Sequence, residues 1–116
     1  MMLAKFVSGL LLVSAVGCGG PEYPPADPTQ SKTAISAAEA VGAQSVPQAA
    51  LHLKMAKDQL STAEALIADG ENDEAFLVLQ RATVDAELAL ALAREESVKG
   101  EANEALKKVE KLKRGE

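Results

Sequence analysis

Side chains able to do covalent or acid–base chemistry are few in this chain of 116 residues: one cysteine, Cys18, and one histidine, His52. A nucleophile needs a base beside it and an acid to orient that base. No nucleophile or acid stands in register with His52, which reads as a surface histidine. The chain holds no paired Cys or His ligands, no glycine-rich phosphate loop and no dinucleotide turn. Asp69, Glu71 and Asp73 alternate as the oxygen ligands of a calcium loop do, but Gly70 is misplaced and no distal glutamate has the required spacing. Glu64, Asp85, Glu87, Glu95 and Glu96 fall on helix surfaces, where solvation accounts for them. The expectation is a protein that is not an enzyme and holds no cofactor.

Cys18 carries the one covalent possibility. Met1 to Lys5 has a single positive charge, and Phe6 to Val16 is an apolar run of eleven residues. A membrane-spanning helix needs about 20 residues, so the run reads as the core of a signal peptide over residues 1–17. Ala15-Val16-Gly17-Cys18 resembles a bacterial lipobox, with Ala15 where leucine is usual. The resemblance implies that Cys18 is lipidated and becomes the mature N-terminus. The alternative is an ordinary secretory signal, since Ala15-Val16-Gly17 also fits small-x-small cleavage. Buried methylenes contribute about 0.8 kcal/mol each, so the acyl chains usual for lipoproteins would hold the protein on its membrane. Gly19 is not the aspartate that typically retains such proteins at the inner membrane of enterobacteria. Outer-membrane anchoring, facing the periplasm, is the implied address.

Residues 18–30 hold the lipidation site and four of the five prolines. Neither helix nor sheet is expected there, only a disordered spacer of at most ~35 Å. The net charge of −5 is uneven. Residues 45–97 carry ten acids against four bases, whereas from residue 98 onward six bases face four acids. An acidic body argues against nucleic-acid binding.

The periodicity of residues 31–116 is helical throughout. Ser31 to Gln44 forms a short alanine-rich helix with Ile35, Ala38 and Val41 on one face, ended by Gly42 and Pro47. Ser45 is placed to cap a second helix over about 46–69. Its seam of Ala49, Leu53, Ala56, Leu60, Ala63 and Ile67 steps alternately by four and three residues. Gly70 suits the turn after it, and Asn72 or Asp73 a cap for the third helix, about 73–113. From Ala75 to Ala93 that helix is apolar on two sides: Ala75, Leu79, Ala82, Ala86, Ala89 and Ala93 on one, Phe76, Leu77, Val84, Leu88 and Leu92 over the rest. Such a helix calls for two neighbours. The second helix can cover only its first ~37 Å, so residues after about Ser97 overhang, with Gly100 able to let them bend. Val98, Ala102, Ala105, Val109 and Leu112 form a narrow coiled-coil stripe there, which either frays or finds a partner. The fold class is all-α: a short N-terminal helix plus an antiparallel hairpin whose long C-terminal helix overhangs.

Residues 70–82, with Gly70, Ala75 and Ala82, look like the turn and second helix of a tetratricopeptide repeat, but no 34-residue period recurs. More of the chain is similar to a family of small bacterial lipoproteins, the domain of unknown function 4398. The resemblance rests on the lipobox, the Pro-rich spacer, Gly42-Ala43, the Pro47-started helix, Gly70 and the stretch Asp85-Ala86-Glu87-Leu88-Ala89, and covers roughly residues 31–105. That family has no assigned chemistry. The expected role is a membrane-anchored periplasmic scaffold that contacts an envelope protein, or a second copy of itself, through residues 98–112. A groove around Leu53 and Phe76 that takes a peptide or apolar ligand is the alternative, as is an accessory subunit of an envelope or secretion complex.

Overall fold

The structure is a computed structural model that describes residues 19–116, and every regular element among them is helical. Helix α1 spans Thr29–Ala40, a single 3-10 turn spans Ala43–Ser45, α2 spans Pro47–Ala68 and α3 spans Asn72–Arg114. Helices α2 and α3 form the antiparallel hairpin, and α1 packs on α3 and more lightly on α2.

The hairpin closes on alanine. Ala49, Leu53, Ala56 and Ala63 of α2 are buried, as are Ala75, Leu79, Ala82, Ala86, Ala89 and Ala93 of α3. A methyl at each contact draws helix axes toward the close end of the ~8–10 Å range of packed helices. Ile67, the last position of the α2 seam, is 37% exposed because α2 ends one residue later and the turn leaves nothing opposite it. At the other end of α2, a cleft brings Val46 and Pro47 beside Leu92, Glu95 and Lys99.

The ends of the helices explain their register. Gly42, Gly70 and Gly115 all have φ near +75 to +80°, where a side chain is strained. At the hairpin the Glu71 amide donates to the Leu66 carbonyl at 2.9 Å and the Gly70 amide to the Ile67 carbonyl at 3.1 Å. This is a Schellman closure built around a left-handed residue. Helix α1 stops at Ala40, before the reversal at Gly42. Val41 therefore turns outward, 41% exposed, while Ile35 and Ala38 are buried.

Two expected caps are not made. Ser45 lies in the 3-10 turn, and α2 starts instead on Pro47, whose missing amide suits a first helical turn. No side chain caps α3 either, because the Asn72 side chain is engaged elsewhere; Asp73 and Glu74 do lie in its first turn and Lys111, Lys113 and Arg114 in its last, complementing the helix dipole.

Helix α3 is continuous through Gly100, where an added Cβ would meet open space. Its 43 residues run for about 65 Å against about 33 Å for the 22 of α2. Every residue from Arg94 onward is exposed.

Three substitutions test this packing by their effect on stability. Ala86→Leu, which forces an isobutyl group into the seam, should cost roughly 1–3 kcal/mol in urea unfolding, while Ala65→Leu on the exposed face of α2 should stay within about 0.5 kcal/mol. Gly100→Ala should raise helix content and stability by up to about 1 kcal/mol.

Candidate interaction surface

The overhang is the largest uncovered part of the described chain. Val98 is 64% exposed, Val109 48% and Leu112 76%, and Ala102 and Ala105 are exposed beside them. All five residues of the expected stripe thus face outward with no neighbouring element against them. Leu106, 62% exposed at the edge of the same stripe, was not among the residues singled out from the sequence. Its apolar character was visible; its place one step off the heptad concealed it. The start of the overhang is braced by Lys99, which donates to Glu95 at 2.6 Å one turn earlier. That hydrogen bond and the opposite charge hold Glu95 below and Lys99 above their ordinary pKa values.

At the opposite end of the hairpin the proline segment is docked. Residues 19–27 have no regular secondary structure, as expected. Yet the Tyr23 ring stacks on Phe76, with centroids 5.3 Å apart and planes 29° from parallel. The Ala26 amide donates to Asn72 Oδ1 at 2.7 Å, and Asn72 Nδ2 donates to the Pro24 carbonyl at 3.3 Å. Asn72 therefore serves as a clasp for the incoming chain rather than as a helix cap. Asp27 then turns the chain into α1, accepting from the Thr29 hydroxyl at 2.6 Å and its amide at 2.9 Å. Those bonds, the hydroxyl first, hold its carboxyl below the ordinary value. A lowered carboxyl pKa favours the fold above the ordinary value and ceases to as pH falls through the folded one, so this turn loosens in acid. The free spacer shrinks to the five steps from Cys18 to Tyr23, roughly 17 Å at ~3.3 Å each. Cys18 itself lies outside the described residues.

Helix α1 is held by a buried polar joint. Ser31, 1% exposed, has its Oγ 3.0 Å from the Leu79 carbonyl and 2.9 Å from Thr83 Oγ1. Thr83 also reaches the Leu79 carbonyl, at 3.0 Å. Lys32–Glu64 and Lys57–Glu39 tie α1 to α2 at the exposed rim, where such pairs are worth about 0–1 kcal/mol.

The fold gives His52 a partner that its spacing did not reveal. Its Nδ1 is 2.9 Å from Asp85 Oδ1, and Gln59 Nε2 donates to Asp85 Oδ2 at 2.8 Å. The three residues link α2 to α3 along the edge of the seam. Among the described residues no hydroxyl or thiol is hydrogen-bonded to His52, and no group of three or more His, Cys, Asp or Glu is placed to hold a metal ion. No described helix is long and apolar enough to cross a membrane.

Of the groove expected around Leu53 and Phe76, Leu53 takes no part, since it is buried in the core, while Phe76 carries the Tyr23 ring. A groove of about 700 Å³ does run between α1 with its preceding segment and α3, lined among others by Phe76, Pro25, Asp27, Thr83 and Glu87.

Among the described residues, a clasped hairpin with a projecting helix makes a small all-helical domain with an exposed apolar stripe at one end. The chain belongs to the family described as domain of unknown function (DUF4398), which it matches over residues 26–105. No curated protein and no solved structure matches it.

The clasp is testable through Tyr23, the chain's only tyrosine in the absence of tryptophan. Asn72→Ala should abolish the near-ultraviolet circular dichroism of Tyr23 while leaving the far-ultraviolet helix signal in place. A near-ultraviolet band that persists in the variant would show that the segment is not held by Asn72.

Proposed function

We propose that this protein is a lipid-anchored lipoprotein of the bacterial cell envelope, held at the outer membrane on the periplasmic side, and that it works by protein contact rather than catalysis. The reading of the anchor rests on Cys18 behind Ala15-Val16-Gly17 and an eleven-residue apolar run. The reading of the role rests on one structural observation: α3 continues well past α2 with Val98, Leu106, Val109 and Leu112 exposed. A soluble monomer gains nothing by ordering an apolar stripe in water, so a partner that covers it is the economical explanation.

The clasp adds orientation. With Tyr23 seated on Phe76, an acylated Cys18 keeps the hairpin turn within roughly 17 Å of the lipid surface. The overhang then lies at the far end of a helix about 65 Å long. A second reading, peptide binding in the groove between α1 and α3, is favoured by that groove's volume of about 700 Å³, within the ~300–1,000 Å³ of ligand sites.

Mass spectrometry of the protein from membranes, beside a Cys18→Ala form, decides the anchor: the expected product begins at an acylated Cys18, and the variant is released from the membrane. An unmodified chain starting near Cys18 would sink the anchor. Cross-linking in intact envelopes then tests the contact. Val109→Asp should abolish capture at the overhang, whereas capture that survives it and is lost on altering Thr83 in a folded protein would favour the groove.

A further inference from the structure

Helix α3 has a second apolar face. Every seventh residue from Leu77 through Val84, Ala91, Val98 and Ala105 to Leu112 is apolar, and all six are exposed. Four residues after these positions come Leu88, Ala102 and Val109, interrupted by Arg81 and Glu95. At about 100° per residue this stripe lies opposite the buried alanines of the hairpin seam. Its mean period of 3.5 residues is that of a coiled-coil seam, sustained over five heptads. The stripe of the overhang is therefore the distal part of a longer surface, whose proximal part is the outer face of the hairpin.

We infer that this surface pairs with the same surface of a second copy running antiparallel. The orientation follows from charge. Beside the seam, again at every seventh position, stand Glu87, Arg94, Glu101 and Lys108, all exposed and none in an ion pair among the described residues. Reversing the partner brings this flanking row against its own counterpart. Glu87 then meets Lys108 of the second copy, Arg94 meets Glu101, and symmetry repeats both, so all four contacts are of opposite sign. The same register sets Val84 against Val109, Leu88 against Ala105 and Ala91 against Ala102. Arg81 lays its aliphatic stem along Leu112. Glu95 keeps its partner Lys99 within its own copy.

A parallel, in-register pair is opposed at the same positions. It sets Arg81 against Arg81 and Glu95 against Glu95 in the seam, and Arg94 beside Lys99 and Lys108 beside Lys113 at the flanks. Each is a like-charge contact. The antiparallel overlap from Arg81 to Leu112 is about 48 Å long, and each copy's overhang lies on the outer face of the other's hairpin. The two clasped N-termini stand at opposite ends, so two lipid anchors hold the pair lengthwise along one membrane.

This pairing rests on the reading of the α3 overhang as a contact surface and names what it contacts. It is tested on the full chain in membranes with cysteine pairs. Residues 87 and 108 are about 31 Å apart along one helix, so a disulfide between them joins two copies. Glu87→Cys/Lys108→Cys should give a cross-linked dimer, and Lys108→Cys alone should not. A dimer from Lys108→Cys alone would overturn the antiparallel arrangement. Sedimentation of the detergent-extracted protein should show a dimer that Glu87→Lys weakens about tenfold and Glu87→Lys/Lys108→Glu restores; weakening without restoration would overturn the register. A monomer at every concentration, with cross-links only to other envelope proteins, would overturn self-pairing and leave the contact role standing. An unacylated Cys18 would remove the anchor and leave the pairing untouched.

Discussion

Close packing of alanine on alanine between α2 and α3 is the constraint on which the rest of the structure depends. Ala56 and Ala63 on one side and Ala82, Ala86 and Ala89 on the other are fully buried, with larger groups at Leu53 and Leu79. A methyl buries little area, and hydrophobic stabilisation scales with area. The seam must therefore be long to be stable, and it must be backed by other contacts. Both requirements are visible: the hairpin runs the whole length of α2, and α1 closes over one side of it through Ile35 and Ala38. The same economy leaves no tolerance for bulk, because a close-packed interface has no void into which a larger side chain can go.

The polar contacts are placed where the alanine seam alone would leave freedom. Ser31 and Thr83 sit where α1 crosses α3, and a satisfied buried pair fixes that crossing in a way that apolar contact does not. His52, Gln59 and Asp85 bind the edge of the hairpin. Asn72 and Phe76 hold the incoming chain at the turn. All of these joints lie within the covered part of α3. None lies beyond Lys99, where the only ion pair among the described residues is the local one between Arg114 and Glu116 at the very end of the helix. The domain is thus asymmetric, with one end clasped and the other bare.

That asymmetry carries the functional reading. A helix apolar on two opposite faces can satisfy one of them within its own chain, and α3 does so against α2. The other face, from Leu77 to Leu112, faces solvent on the hairpin as well as on the overhang. Its flanking charges change sign along the helix in an order that complements its own reverse. The proposed lipid anchor at the clasped end would add a boundary condition, because it would bring copies together in two dimensions and favour even modest contacts between them.

Much of this was legible in the sequence, since helix periodicity is a local property. The all-α class, the seam from Ala49 to Ala63, the turn at Gly70 and the overhang past Ser97 all follow from spacing and from the lengths of α2 and α3. Local signals were less reliable where a side chain had a choice of partner. Ser45 and Asn72 are good caps by type, yet Ser45 falls in a 3-10 turn and Asn72 is taken by the backbone of Pro24 and Ala26, far away in the chain. His52 looked solitary because Asp85 comes beside it only when the hairpin closes. The proline segment read as a spacer because proline forbids helix and sheet, and nothing local announced that Tyr23 would stack on Phe76. By itself, then, the sequence determined the helices, their order and their apolar faces, which depend on residues three or four apart. Only the tertiary structure decided which face of α3 is consumed and which is left exposed, because that depends on where α1, α2 and the clasped N-terminal chain come to lie.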